Sequence, residues 1–223
     1  MNHSPFQWSR PLLTCLSLLF LTTTFIHAQP PKPPTPVEVF LGHQQVNFQM
    51  VVKKKFAPMS KMSFFSVATF NADYPGGDDD FEMIIPVQLS YELGKGFGMM
   101  AGSNINSAIG FSPIIGPQYT YASPKLLVVS VLSFFLNEKK DIEFFGLYEF
   151  KPPLNEQWTL YNRLQMLYVH NPTDGIHNRS YLHLRTGLKR EAFIFGLAAN
   201  LDQYGPEMRY QDNFGLFVRW EFQ

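Results

Sequence analysis

The sequence predicts an all-β fold: a transmembrane, antiparallel, up-and-down β-barrel of about twelve strands, with ten as the alternative count. Three observations lead there. Apolar and polar residues alternate with a period of two over segments of roughly 10–13 residues, longer than soluble strands usually run. The polar side of those segments carries charges that a dry core would reject. Charged residues are only 16 % of the 223, while aromatic residues also reach 16 %. That balance suits a large β surface bathed in lipid better than a water-facing one.

The amino terminus stands apart. "MNHSPFQWSR" carries one Arg and precedes "PLLTCLSLLFLTTTFI", an apolar run ending at "HAQ". This is the layout of a secretory signal peptide, 1–28, with cleavage after Ala28. The run from Pro11 to Ile26 is short for a bilayer of ~30 Å. The single cysteine, Cys15, leaves with the leader. The remaining chain then needs no disulfide, because a closed barrel satisfies its hydrogen bonds internally. "QPPKPPTP" follows, a stiff, extended tether over 29–36. The barrel is expected over 37–223.

"VEVFLG" is a short first strand, and counting it brings the total to twelve. "VNFQMVV" sets Val46, Phe48, Met50 and Val52 against Asn47, Gln49 and Lys53. "EMIIPVQLSYEL" sets Met83, Ile85, Val87, Leu89, Tyr91 and Leu93 against Glu82, Gln88, Ser90 and Glu92. "GFGMMAGS" is the weakest interior strand. "KLLVVSVLSFFL" is apolar on both sides, so its orientation is unreadable. "DIEFFGLYEF" sets Ile142, Phe144, Tyr148 and Phe150 against Asp141, Glu143 and Glu149. "QWTLYNRLQMLYV" sets Trp158, Leu160, Leu164, Met166 and Tyr168 against Thr159, Tyr161, Arg163 and Gln165. "SYLHLRTGLK" sets Leu182, Leu184 and Leu188 against His183, Arg185 and Lys189. "AFIFGLAANLD" sets Phe193, Phe195, Leu197 and Leu201 against Gly196, Asn200 and Asp202. The last strand, "NFGLFVRWEFQ", sets Leu216, Val218, Trp220 and Phe222 against Phe217, Arg219 and Glu221. None of these shows the three-and-four spacing of a helix.

Read backward from the end, the connections alternate long and short. "QYGPEMRYQD", "HNPTDGIHN", "NINSAIGFS" and "DYPGGDDD" are long, and "KRE", "SPK" and "GKG" are tight. Tyr91, Trp158, Tyr168, Phe193, Trp220 and Phe222 sit near stripe ends, where membrane-interface aromatics belong.

These features together resemble bacterial outer-membrane β-barrel proteins. The resemblance rests on the leader, the cysteine-free alternating strands and the terminal "LFVRWEF", and it covers the whole mature chain. In plan it extends distantly to the twelve-stranded Tsx-like channels, without a shared residue motif. It implies an outer-membrane location with the leader removed, a periplasmic tether, and contact with outer-membrane lipids. It also implies handling by the barrel-assembly machinery, which reads a terminal strand ending in an aromatic. Phe222 matches that position, although Gln223 follows it.

For function, the inward polar residues lead. Glu92, Glu143, Glu149, Arg163, Gln165, His183, Arg185, Lys189, Arg219 and Glu221 are the expected lumen lining. A constriction is expected at Glu149, Arg185 and Arg219. Residues of both signs suit a narrow channel for small polar solutes, and an open lumen is favoured over a salt-bridged plug. A closed barrel whose outer loops engage a partner, glycan or lipid is the alternative. A lipid-modifying enzyme is the third reading: His170 and His177 share a loop, but Ser180 and His183 fall on opposite sides, so no catalytic residue is assigned. No cofactor or metal is expected. Balanced charge, with 18 basic and 18 acidic residues, gives no reason to expect nucleic acid.

Overall fold

The alternation has one consequence that shapes the molecule. A strand with one apolar face and one polar face must put each in its own medium, and closing the sheet on itself does this while removing both edges. The computed structural model describes residues 34–74, 81–107 and 110–222. The predicted leader, most of the tether, the "GGDDD" loop and Gln223 lie outside them.

Twelve antiparallel strands close into one barrel. They are β1 (Thr35–Gly42), β2 (Gln45–Lys55), β3 (Met62–Asp73), β4 (Phe81–Gly94), β5 (Phe97–Asn106) and β6 (Gly110–Ala122). The other six are β7 (Leu126–Phe135), β8 (Ile142–Phe150), β9 (Thr159–Asn171), β10 (Ile176–Arg190), β11 (Phe193–Tyr204) and β12 (Arg209–Phe222). Each pairs with its sequence neighbours, and β1 pairs with β12 from Thr35↔Phe222 to Gly42↔Gly215. The twelve-strand count therefore holds, and the ten-strand alternative falls. β1 begins at Thr35, so Thr35 and Pro36 belong to the barrel rather than to the tether.

The predicted alternation of long and short turns is not kept. Strands run further into the connections than their sequence suggested, and the longest described connection, 151–158, lies at the end that holds the termini. "GKG" is a tight turn as expected. Lys95 and Gly96 both have positive φ, 52° and 86°, the pairing of the hairpin turn that matches strand twist.

Two interior strands contain proline, which cannot donate to a ladder. Pairing of β3 with β4 lapses between Phe65↔Gln88 and Thr69↔Ile84, around Pro86. Pairing of β6 with β7 lapses between Ile115↔Phe134 and Gln118↔Val131, around Gly116 and Pro117. The register is the same on both sides of each gap, so the sheet continues. At Gly116 a Cβ would stand 1.8 Å from the Leu132 carbonyl oxygen, so the neighbouring backbone leaves room for glycine only.

The outer surface is apolar. Leu41, Val87, Leu89, Ile115, Leu197, Leu216 and Val218 are exposed there, which is costly in water and favourable in lipid. Asn162 and Thr186 also face outward, and Thr186 Oγ1 donates to Asn162 Oδ1 at 2.9 Å, which pairs the two with each other. An external hollow of about 760 Å³ lies over the small residues Ala199 and Gly215, among Leu164, Leu184, Leu197 and Leu216. It is a dent in this lipid-facing wall.

Aromatic side chains collect toward both rims. Tyr91, Phe97, Tyr121, Phe150, Phe193, Trp220 and Phe222 lie exposed near the end with the termini, and Phe81, Phe111, Tyr168 and Tyr210 near the other. Phe193 stacks on Trp220 at 5.6 Å, and Trp220 contacts Phe222 at 4.1 Å. Trp158 lies just before β9, half-buried, edge-on to Phe195 at 6.1 Å.

Candidate functional site: the barrel interior

The register fixes which side chains point inward. Glu149↔Arg163, Arg163↔Arg185 and Gln165↔His183 are cross-strand partners, as are Glu143↔Val169 and Glu92↔Gly98. Lys189↔Ile194 and Ile194↔Arg219 continue the same face across β11 and β12. All ten predicted lumen residues therefore point into the barrel.

The interior divides into two unlike walls. One, from β3 through β5–β8, is apolar: Phe65, Val67, Met100, Ile114, Val129, Val131, Phe135, Phe145 and Leu147 form one buried cluster. This resolves the strand that is apolar on both sides. β7 meets lipid outside and this cluster inside, so neither face needs to be polar.

The other wall, from β9 to β12 and on to β1, is polar. Its centre is Glu38. Arg163 Nη2 donates to Glu38 Oε1 at 2.6 Å, and Arg185 Nε donates to the same oxygen at 2.8 Å. Arg185 Nη1 also donates to Asn200 Oδ1 at 2.8 Å, and its guanidinium lies 4.6 Å from the Phe40 ring. Beside this triad, Arg219 Nη2 meets Glu149 Oε1 at 2.8 Å, Arg219 Nη1 donates to Tyr161 OH at 2.6 Å, and Tyr161 OH donates to Glu149 at 2.9 Å. Of the expected constriction residues, Arg219 and Glu149 pair with each other, and Arg185 bonds Glu38, a carboxylate that sequence reasoning left out.

Toward the end with the termini, Lys189 bonds Glu221, Lys151 meets Glu149 at 3.0 Å, and Lys55 meets Glu92 at 3.4 Å near the rim. Toward the other end, Gln165 accepts from Gln49 Nε2 at 3.1 Å and donates to Tyr181 OH at 3.0 Å. His183 Nε2 faces Asp202 Oδ2 at 3.0 Å and its ring stacks on Tyr181 at 4.1 Å. Arg179 joins Glu82 and Asp202.

The middle of the barrel is closed. Every strand contributes an inward side chain that water barely reaches, from Phe40 and Ile194 at 0 % exposure to Val67 at 5 %. This corrects the expectation of an open lumen. The inward groups are large, and oppositely charged ones draw together where no water separates them.

Above this waist a cavity of about 320 Å³ remains, lined among others by Gln88, Asn104, Asp141, Glu143, Arg179 and Phe135. Among the described residues no three His, Cys, Asp or Glu side chains gather as a metal site.

Glu38, Arg179 and Asp141 were missing from the expected lining. Glu38 sits at an alternating position of "VEVFLG", where its sign could have been read. Arg179 was missed because "HNPTDGIHN" was read as a loop and the strand begun at Ser180; its side chain is in phase with His183 and Arg185, and a β-bulge between His177 and Arg179 lies just before it. The same bulge turns His177 to the outer face. There its Nδ1 donates to the Gly205 carbonyl at 2.8 Å and its Nε2 meets Ser180 Oγ at 3.0 Å. Ser180 and His183 do point to opposite sides.

No known protein family and no curated protein matches the chain. Among solved structures, the barrel is similar to "KdgM porin", with a TM-score of 0.48 and 10 % identity over 85 % of this chain and 99 % of that one. It is also similar to "KdgM porin in complex with disordered oligogalacturonate", with a TM-score of 0.47 and 10 % identity over 85 % and 99 % of the two chains. A third is "NanC porin structure in rhombohedral crystal form", with a TM-score of 0.45 and 8 % identity over 86 % and 100 %.

Proposed function

We propose that this chain is a bacterial outer-membrane barrel that conducts small polar solutes through a waist closed at rest. The observation that carries this reading is the polar wall. It runs from Glu82, Arg179 and Asp202 through Glu38, Arg163, Arg185 and Arg219 to Lys189 and Glu221. Sealing charges inside a barrel costs several kcal/mol per ion before pairing returns it. An inert barrel could fill both walls with apolar side chains, as the cluster of Met100, Ile114, Val131 and Leu147 fills part of one. Glu38 Oε2 and Arg163 Nε and Nη1 have no partner among the described residues, and water entering the waist would satisfy them. Purified protein in planar bilayers should give discrete conductance steps. Flat traces over a range of salts and voltages would overturn the reading.

In the cell, the reading has the leader over 1–28 removed, the tether over 29–36 in the periplasm, and the barrel surrounded by outer-membrane lipids. The terminal "LFVRWEF" would be engaged by the barrel-assembly machinery. Removing 218–223 should then block assembly while leaving secretion across the inner membrane intact.

The filled waist favours a second reading, a closed barrel that binds a partner, glycan or lipid through its outer loops. Deleting "YPGGDDD" would abolish such binding while heat-modifiable gel mobility persists. The lipid-modifying reading has one contact in its favour, His177 with Ser180, which has the geometry of a base beside a nucleophile. A serine-reactive fluorophosphonate should leave Ser180 unlabelled if the barrel is a channel. Labelling lost in Ser180→Ala would favour the enzyme.

A further inference from the structure

The cavity above the waist has a character of its own. Three carboxylates, Glu82, Asp141 and Glu143, line it, against two cations, Lys139 and Arg179. Arg179 is already committed: it bonds Glu82 and donates to Asp202 at 3.1 Å, so one guanidinium serves two carboxylates. Lys139 is exposed at the rim. Asp141 and Glu143 make no ion pair among the described residues, and the charge whose field reaches Glu143 is that of Arg179. The cavity therefore holds more negative charge than its own residues neutralise.

The second observation is independent of charge. Asp141 is 4 % exposed, Gln88 4 % and Asn104 6 %. Each has a side-chain oxygen without a hydrogen-bond partner. The large majority of buried side-chain polar atoms are hydrogen-bonded, so three orphans on residues lining one cavity point to a group that is meant to come in. Such oxygens accept, and what satisfies them must donate.

Part of the remaining wall is aromatic. Phe65 and Phe145 face each other at 6.4 Å, with Phe135 beside them, and all three line the cavity. A ring face attracts a cation and accommodates an apolar body equally well.

We propose that this cavity binds a small organic cation, with an ammonium or guanidinium head between Asp141 and Glu143 and an apolar body against the phenylalanine wall. A head of that kind supplies donors to the orphaned oxygens and charge to the unpaired carboxylates at once. The volume, about 320 Å³, is at the small end of the range for ligand sites. An anionic solute would meet uncompensated carboxylates and is disfavoured. This names the solute class of the proposed channel and rests on that reading only for the statement that the ligand then passes through.

The test uses three probes that share one ring: 2-phenylethylamine, 2-phenylethanol and phenylacetate. They are titrated calorimetrically into the full-length barrel folded in detergent. The amine should bind at least tenfold tighter than the alcohol, and phenylacetate should bind more weakly than either. Glu143→Gln should cost the amine about tenfold and leave the alcohol unchanged, the loss of one charge-assisted contact. Asp141→Asn should do the same, and serves if Glu143→Gln fails to give the heat-modifiable barrel. Equal binding of amine and alcohol would mean a neutral, polar ligand such as a saccharide and would overturn the inference. So would phenylacetate binding as tightly as the amine, or both variants leaving the amine unaffected. Bilayer traces separate this from the channel reading. Conductance steps without selective amine binding defeat the cation site alone, and amine binding with flat traces defeats transport alone.

Discussion

Replacing Glu38 with Gln tests the closed waist directly. The substitution keeps shape and removes the charge that Arg163 and Arg185 share, at 2.6 and 2.8 Å. All three side chains are 1–2 % exposed, so solvent does not replace what is lost. Hydrogen bonds to charged groups contribute about 1.5–3 kcal/mol each. Removing one partner from a buried ion pair costs about 3–5 kcal/mol, because the remaining charge is stranded. Glu38→Gln strands two, so a loss of at least ~3 kcal/mol is expected. Glu92→Gln is the control. Its pair with Lys55 is half exposed at 3.4 Å and should be worth ~1 kcal/mol or less. The assay is urea unfolding of the barrel in lipid vesicles, followed by tryptophan fluorescence, since Trp158 and Trp220 lie near one rim of the barrel. Adding Arg163→Met to Glu38→Gln should recover part of the loss. If Glu38→Gln costs no more than Glu92→Gln, the waist is wet, and the argument that its side chains seal the lumen is wrong.

Other expectations are simpler to state. Glu38→Ala with Arg185→Ala removes the bulk at the waist and should raise single-channel conductance above that of the unaltered barrel; an unchanged step size would locate the barrier elsewhere. Leu197, outward-facing and 63 % exposed, should cost ~2–4 kcal/mol as Leu197→Arg if it lies near mid-bilayer, read by the same unfolding in vesicles; a loss under ~1 kcal/mol would remove it from the lipid belt. Gly116→Ala forces a methyl toward the Leu132 carbonyl, so the strands must part, with an expected cost of ~1–3 kcal/mol; an unaltered urea midpoint would show that this close approach does not exist.

The outside of this barrel was more legible in the sequence than the inside. Lipid imposes one rule on every outward position, so Leu216, Val218, Trp220 and Phe222 could be read from their spacing alone. Strand number followed from the same rule, once "VEVFLG" was counted. Inward residues obey no such rule. Glu38 and Arg163 lie 125 positions apart, and nothing local says that they meet. The curvature of the closed sheet brings them together, and an open lumen was expected because polarity was read without the volume of the side chains that carry it. β7 defeated the alternation for a related reason, since half of the interior is an apolar core. Strand length hid the rest: β10 begins at Ile176, ahead of the Ser180 where the alternation was picked up, so Arg179 was counted with the loop.

The seam between β1 and β12 has a bearing on how the barrel is made. Glu38 stands directly across that seam from Arg219, while its two closest cations come from β9 and β10. Until the last strand docks on the first, Arg163 and Arg185 have no carboxylate at position 38 to meet. Arg219 keeps Glu149, but a half-built sheet would leave the guanidiniums of Arg163 and Arg185 without Glu38, against a bilayer that does not solvate them. Seam closure and charge neutralisation are therefore one event, which disfavours partly closed forms and makes the first strand the latch of the whole wall.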